Sequence, residues 1–150
     1  MVSRQVIDEV LSQKTLALVG VSRNGAGFGN MVRKALAGKG YSILLVHHEA
    51  ETIAGAPCAR NLKDVASRVG GVILVTPPGS TSALVREAAE AGIRRIWMQQ
   101  GAESPEAIQF CEQQGLAAVH GQCILMFVEP AMWLHRFHRG INKIIGRLPH

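Results

Sequence analysis

Cysteine is scarce in this 150-residue chain. Cys58, Cys111 and Cys123 are odd in number and show no C-x-x-C spacing, which excludes a disulfide scaffold and a structural zinc site and suits reduced thiols. No apolar run approaches the roughly 20 residues that span a bilayer. The opening stretch "MVSRQVIDEVLSQK" carries acids and no apolar signal core, so the expected location is cytoplasmic, away from any membrane. Paired carboxylates, an H-E-x-x-H helix and a Ser-His-Asp order are all missing, so no catalytic constellation is on offer. Acids are also absent after Glu129, where Arg136, Arg139, Lys143 and Arg147 lie. These four cations account for most of the net charge of +5, so the basic character belongs to a tail and no nucleic-acid-binding face is expected.

What is present is ordinary for one folded domain. Hydrophobic residues make up 47% and charged residues 18%, enough to bury one core. Ser3 can cap an amphipathic helix running to about Gln13, with Val6, Ile7, Val10 and Leu11 on one side. "TLALVG", "YSILLV", "GVILVT" and "RRIWMQ" are apolar on both faces, as strands of a buried parallel sheet are, and "LAAVHG" is the last strand. Helices are expected over Phe28 to Ala37, over Ser80 to Ala91 after a "PPG" turn, and from Pro105 to Gly115, with a short one from Asn61 to about Val69. A short edge strand around Cys58 completes the set. Strands alternating with helices imply right-handed crossovers, hence an α/β, doubly wound parallel sheet of five to six strands with helices on both faces. With the Cys58 strand at the edge the order is 3-2-1-4-5-6, which is Rossmann-like. Ligands then bind at the switch point between "TLALVG" and "GVILVT", with Gly20 to Arg23 on one wall and Val75 to Pro78 on the other.

The loop "ALVGVSRNGAGFGNMV" follows the first strand and precedes a helix, yet Gly20, Gly25, Gly27 and Gly29 do not fit G-x-G-x-x-G. A strand-loop-helix of this kind aims backbone N–H groups and a positive helix end at an anion. Gly20 permits the turn, Ser22 adds a hydroxyl, Arg23 a forked cation, and Asn30 a further donor in the first turn of the helix. An NAD site wants an acid near the end of the second strand. Here that strand ends Val46-His47-His48, and the first acid is Glu49. A cationic loop without the acid prefers a phosphorylated ribose, which NADP and coenzyme A both carry.

Taken together in this order, "ALVGVSRN…FGN", "GYSILLVHHEAETIAGAPCARNLKDV", "GVILVTPP", "AGIRRIWMQQGAES" and "QQGLAAVHGQC" resemble the CoA-binding domain proteins of the YccU type. These are single Rossmann domains similar to the CoA-binding domain of the succinyl-CoA synthetase alpha subunit. The resemblance spans roughly Thr15 to Cys123, and "LHRFHRGINKIIGRLP" looks like the family's ending. It implies coenzyme A or an acyl-CoA as ligand, with Gly20, Ser22 and Arg23 holding the phosphates; Val21 and Asn30, in the same loop, are candidate site residues beside them. It places Val46 and His47 beside the adenosine, Val75, Thr76, Pro77 and Pro78 on the opposite wall, and Gln99 and Gly101 near the pantetheine path. One departure is His47-His48, where the family commonly has Asn-Pro.

Several other residues invite sharper roles. Adjacent histidines on an extended segment point opposite ways, so His47 and His48 are not expected to share a metal. His135 and His138 are read as part of a solvated basic face, and Cys123 and Trp97 as packing. The tail stripe of Leu134, Phe137, Ile141, Ile144, Ile145 and Leu148 is expected to form a helix over about 130–147 that packs on the domain and extends into a homodimer contact. The whole chain, 1–150, reads as one CoA-binding domain without catalysis of its own. The alternative is an NADP-binding reductase-like protein.

Overall fold

The structure is a computed structural model, and it describes residues 2–128; the expected tail helix, with its stripe and its histidines, lies outside the described residues. Four helices, α1 (Arg4–Leu11), α2 (Phe28–Ala37), α3 (Pro78–Glu90) and α4 (Pro105–Gln113), accompany seven strands. The strands are β1 (Thr15–Val19), β2 (Ser42–Val46), β3 (Thr52–Ile53), β4 (Ala56–Ala59), β5 (Gly71–Leu74), β6 (Arg95–Gln99) and β7 (Ala117–Gln122). They form one sheet in the order β3-β4-β2-β1-β5-β6-β7, parallel except for the antiparallel β3–β4 edge. The expected 3-2-1-4-5-6 order therefore holds for the parallel part.

Local chemistry starts the helices. Ser3 accepts the Val6 N–H at 3.3 Å and caps α1, and Ser104 accepts the Ala107 N–H at 3.1 Å ahead of Pro105. Strand alternation then divides the core. Leu16, Leu18, Ile73, Trp97 and Val119 face α1 and α2, joined by Ile7, Val10, Val32, Leu36 and the segment Ile124–Met126. Ala17, Val72, Leu74, Ile96 and Met98 face α3 and α4, where Val85, Ala88, Ala107 and Cys111 meet them. Because consecutive strand residues point to opposite faces, a strand apolar throughout is what helices on both faces require. Trp97 is fully buried, and its indole N–H donates to the Gln122 carbonyl at 3.3 Å.

Three details differ from the sequence reading. A seventh strand exists because Thr52-Ile53 turns back through Ala54 and Gly55, both at positive φ (51° and 82°), onto Ala56-Pro57. Two residues at positive φ give a tight hairpin whose twist matches its strands. The segment after Asn61 forms two 3-10 turns, Leu62–Asp64 and Ala66–Arg68, rather than a continuous helix. Finally, "PPG" is not a separate turn: Pro78 is the first residue of α3, where its missing N–H costs nothing.

The switch point is shaped by two glycines. Gly20 has φ of 118°, and a Cβ there would overlap the Val75 carbonyl oxygen, since Val75 N–H already bonds to Val19 at 2.9 Å. A Cβ at Gly29 would stand 2.5 Å from the Gly20 carbonyl oxygen, so the start of α2 lies directly against the turn. Gly40, at φ of 89°, has nothing within 4 Å of the same position. Gly40→Ala is therefore expected to cost about 1 kcal/mol from φ strain alone. Gly20→Ala should cost more than about 3 kcal/mol, because backbone must also move. Urea unfolding of the two variants checks this, and equal losses would show that the Gly20–Val75 approach is not needed.

Candidate functional site

The carboxyl ends of β1, β2, β4 and β5 surround a cleft of about 550 Å³, within the usual range for small-molecule sites. Of the residues singled out from sequence, Gly20, Val21, Val46, His47, Val75, Thr76 and Pro77 line it together. Ser22, Arg23, Asn30, Pro78, Gln99 and Gly101 are not part of that lining. The lining adds Val19, His48, Arg60, Ser80, Ala83, Leu84 and Glu87. Ser80, Ala83, Leu84 and Glu87 share one face of α3 at helical spacing, and Arg60 is the first residue after β4. Like Val46 and His47, it stands at the carboxyl end of a parallel strand.

The glycine loop satisfies much of itself. The Ser22 hydroxyl lies 2.6 Å from the Ala26 carbonyl and 2.7 Å from Asn24 Oδ1, which also accepts the Ala26 N–H at 2.9 Å. Gly25 N–H donates to the Ser22 carbonyl at 2.9 Å. The result is a small closed turn that delivers the chain to Gly27, where α2 begins without any side-chain cap. Backbone N–H groups at such an uncapped helix start suit an anion by position and by dipole. Arg23 is exposed, with Nη2 3.9 Å from Glu49 Oε2, a pair too open to contribute much stability. Asn30 is buried and turns its Oδ1 to Arg33, at 3.1 and 2.9 Å from Nε and Nη2, leaving its amide N–H₂ as a donor.

On the other wall a threonine pair sets polarity. Buried Thr81 lies 2.6 Å from the Ala102 carbonyl, which can only accept, so the Thr81 hydroxyl donates there. Thr76, 2.8 Å away, then donates to Thr81, and its oxygen is left as an acceptor. Gln99 and Gly101 are held by other contacts. Gln99 is buried and its Oε1 accepts the Ile124 N–H at 3.0 Å, while Gly101 N–H donates to Glu103 at 3.2 Å. Cys123 is buried in the core cluster that also holds Trp97, and burial pushes the Cys111 thiol up to about 11. Among the described residues no three His, Cys, Asp or Glu side chains converge as a metal site would need.

His47 and His48 correct one expectation. They do not point apart: the chain bends after β2, and their rings stack 5.0 Å apart and 5° from parallel. His47 Nδ1 accepts two backbone N–H groups, from Glu49 at 3.0 Å and Ala50 at 2.9 Å. The ring is therefore neutral with its proton on Nε2. Burial first, then the charges of His48 and Arg23, hold its pKa below the value of about 6.5 for a free imidazole. The unfolded chain takes up that proton before the folded one does, so this contribution to stability is whole above about pH 6.5 and is lost as pH falls below it. Nitrogen-detected NMR of the His47 side chain is expected to show the Nε2–H tautomer at pH 7 and a midpoint below 6.5; an Nδ1–H tautomer would contradict the loop geometry.

Comparison with known proteins agrees with this architecture. YneT, an uncharacterized protein of Bacillus subtilis, is 27% identical over 123 residues, covering 81% of this chain and 91% of its own. A conserved hypothetical protein from Pyrococcus furiosus is 37% identical, with a TM-score of 0.70 over 74% of this chain and 96% of its own. A hypothetical protein from Pyrococcus horikoshii shares the fold at 24% identity, with a TM-score of 0.72 over 93% of this chain and 92% of its own. The family model described as CoA binding domain matches residues 14–129. With its glycine-turned switch point inside that match, the chain belongs to the CoA binding domain family.

Proposed function

We propose that the cleft binds coenzyme A or an acyl-CoA and that the chain carries out no chemistry on it alone. The observation that carries this reading is the uncapped start of α2 at Gly27, reached through a glycine turn at the switch point of a chain that belongs to the CoA binding domain family. In this reading the diphosphate rests against the backbone N–H groups of the Gly20–Asn30 loop, with Arg23 as its cation. Val21, Val46 and Val75 supply an apolar bed for the adenine, and Pro77 and Pro78 shape the opposite lip. The pantetheine arm leaves toward the ends of β5 and β6, where Gly101 borders its path.

The absence of catalysis rests on how the polar lining is engaged. Thr76 is hydrogen-bonded to Thr81 rather than to a base, and Glu87 accepts the Leu62 N–H at 2.7 Å. His47 spends its Nδ1 on the backbone, so the nitrogen that could act as a base is occupied. The three free cysteines suit a cytoplasmic setting for such a protein.

Native mass spectrometry of the purified full chain, followed by calorimetry, tests the reading. CoA should bind at least tenfold more tightly than NAD. Arg23→Ala should weaken CoA by about tenfold, the lower range for a charge-assisted contact at an exposed site, with little change in melting temperature. A preference for NADP over CoA would move the protein to the reductase-like alternative, and a preference for NAD would overturn both.

A further inference from the structure

The ends of β2 and β4 form a corner of the cleft that the glycine loop does not supply. β4 lies beside β2 in register, Val46 opposite Ala59, and the Ala59 carbonyl accepts the His47 N–H at 2.8 Å. Arg60 therefore leaves β4 at the level where His47 leaves β2, and both line the cleft. The guanidinium of Arg60 is nearly unspent. Among the described residues its one hydrogen bond is a long 3.4 Å contact from Nη1 to the His48 carbonyl, and it makes no ion pair within 4.0 Å. Arg23 differs, since it faces Glu49.

The chemistry of this corner is one-sided. A ribose diol needs an acceptor for its hydroxyl protons, which is why nucleotide sites of this topology use an acid there. Here His47 offers only Nε2–H, because its Nδ1 already accepts two backbone N–H groups. Of the nearby carboxylates, Glu49 is turned to His48 at 3.0 Å, and Glu87, on α3, gives its Oε2 to the Leu62 N–H at 2.7 Å; among the described residues neither forms an ion pair with Arg60. The donors that the ends of β2 and β4 supply suit a phosphate monoester, which is acceptor on every terminal oxygen and carries between one and two negative charges at neutral pH. A planar guanidinium held at a strand end can meet two of those oxygens at once.

We propose that Arg60, with His47, is the subsite for a phosphate monoester on the ribose of an adenosine ligand. This corner, not Arg23, then decides between phosphorylated and plain ribose. The inference rests on the reading of the cleft as a CoA site and adds the residue that makes the ligand choice. Arg23, on the glycine turn, serves the diphosphate that both ligand forms share.

Calorimetry on the full chain with CoA and 3′-dephospho-CoA separates the two claims. The wild-type chain should favour CoA by about tenfold or more. Arg60→Gln should bring that ratio near one while leaving dephospho-CoA affinity unchanged, and Arg60→Lys should restore part of it. Arg23→Gln should weaken both ligands alike and keep the ratio. If the ratio survives Arg60→Gln, or collapses in Arg23→Gln instead, the assignment is wrong. If wild type binds both equally, the subsite fails while the CoA reading stands; if it binds neither, the CoA reading and the subsite both fail. Should NADP prove the tighter ligand, NADP against NAD replaces the pair, and the same loss of ratio in Arg60→Gln is expected.

Discussion

At the switch point of the sheet the β1 turn passes directly beneath the Val75 carbonyl at the end of β5, with no room for a side chain at Gly20. Much of the cleft follows from that approach. β1 and β5 are neighbours whose following helices lie on opposite faces, α2 on one and α3 on the other, so the chain must part above them. The gap left is the cleft. Gly29 extends the constraint, because α2 can begin against the turn only if it too lacks a side chain. Gly20 and Gly29 thus take the first and third roles of a dinucleotide fingerprint, the tight turn and the close helix. They stand farther apart than in that motif because the closed turn around Ser22, Asn24 and Ala26 is inserted between them.

Polarity is laid over this backbone frame unevenly. The β5 side presents the Thr76 oxygen as acceptor, with its proton committed to Thr81. The β2 and β4 side presents the His47 N–H and the Arg60 guanidinium as donors. Between them lie valines and the start of α3. A ligand with an apolar ring system, one flank of anionic oxygens and one flank with a donor matches that arrangement.

Much of the frame was legible in the sequence because buried parallel strands write a plain signal. "TLALV", "SILLV" and "GVIL" are apolar on both faces, and each faces helices on both sides. Ser3 and Ser104 marked helix starts through their capping oxygens. The edge hairpin was not legible, since two residues make no periodic pattern and Ala54-Gly55 lacks the asparagine or aspartate that usually announces such a turn. The stacking of His47 on His48 was missed because the segment after the strand was read as extended, whereas the Nδ1 contacts bend the chain. Arg60 escaped notice for a different reason: the short strand before it was read only as an edge, although its end opens into the cleft.

The central claim is that a CoA-type ligand occupies the crevice between β1 and β5. Amide NMR of the full chain during CoA titration tests it most directly, because each wall is reported separately. The account predicts saturable shifts in Gly20 to Asn30, in His47, in Arg60 and in Val75 to Ser80. The opposite end of the sheet, around Gly70 and Arg95, should stay still. Shifts confined to the far end, or none at saturating CoA, would contradict it.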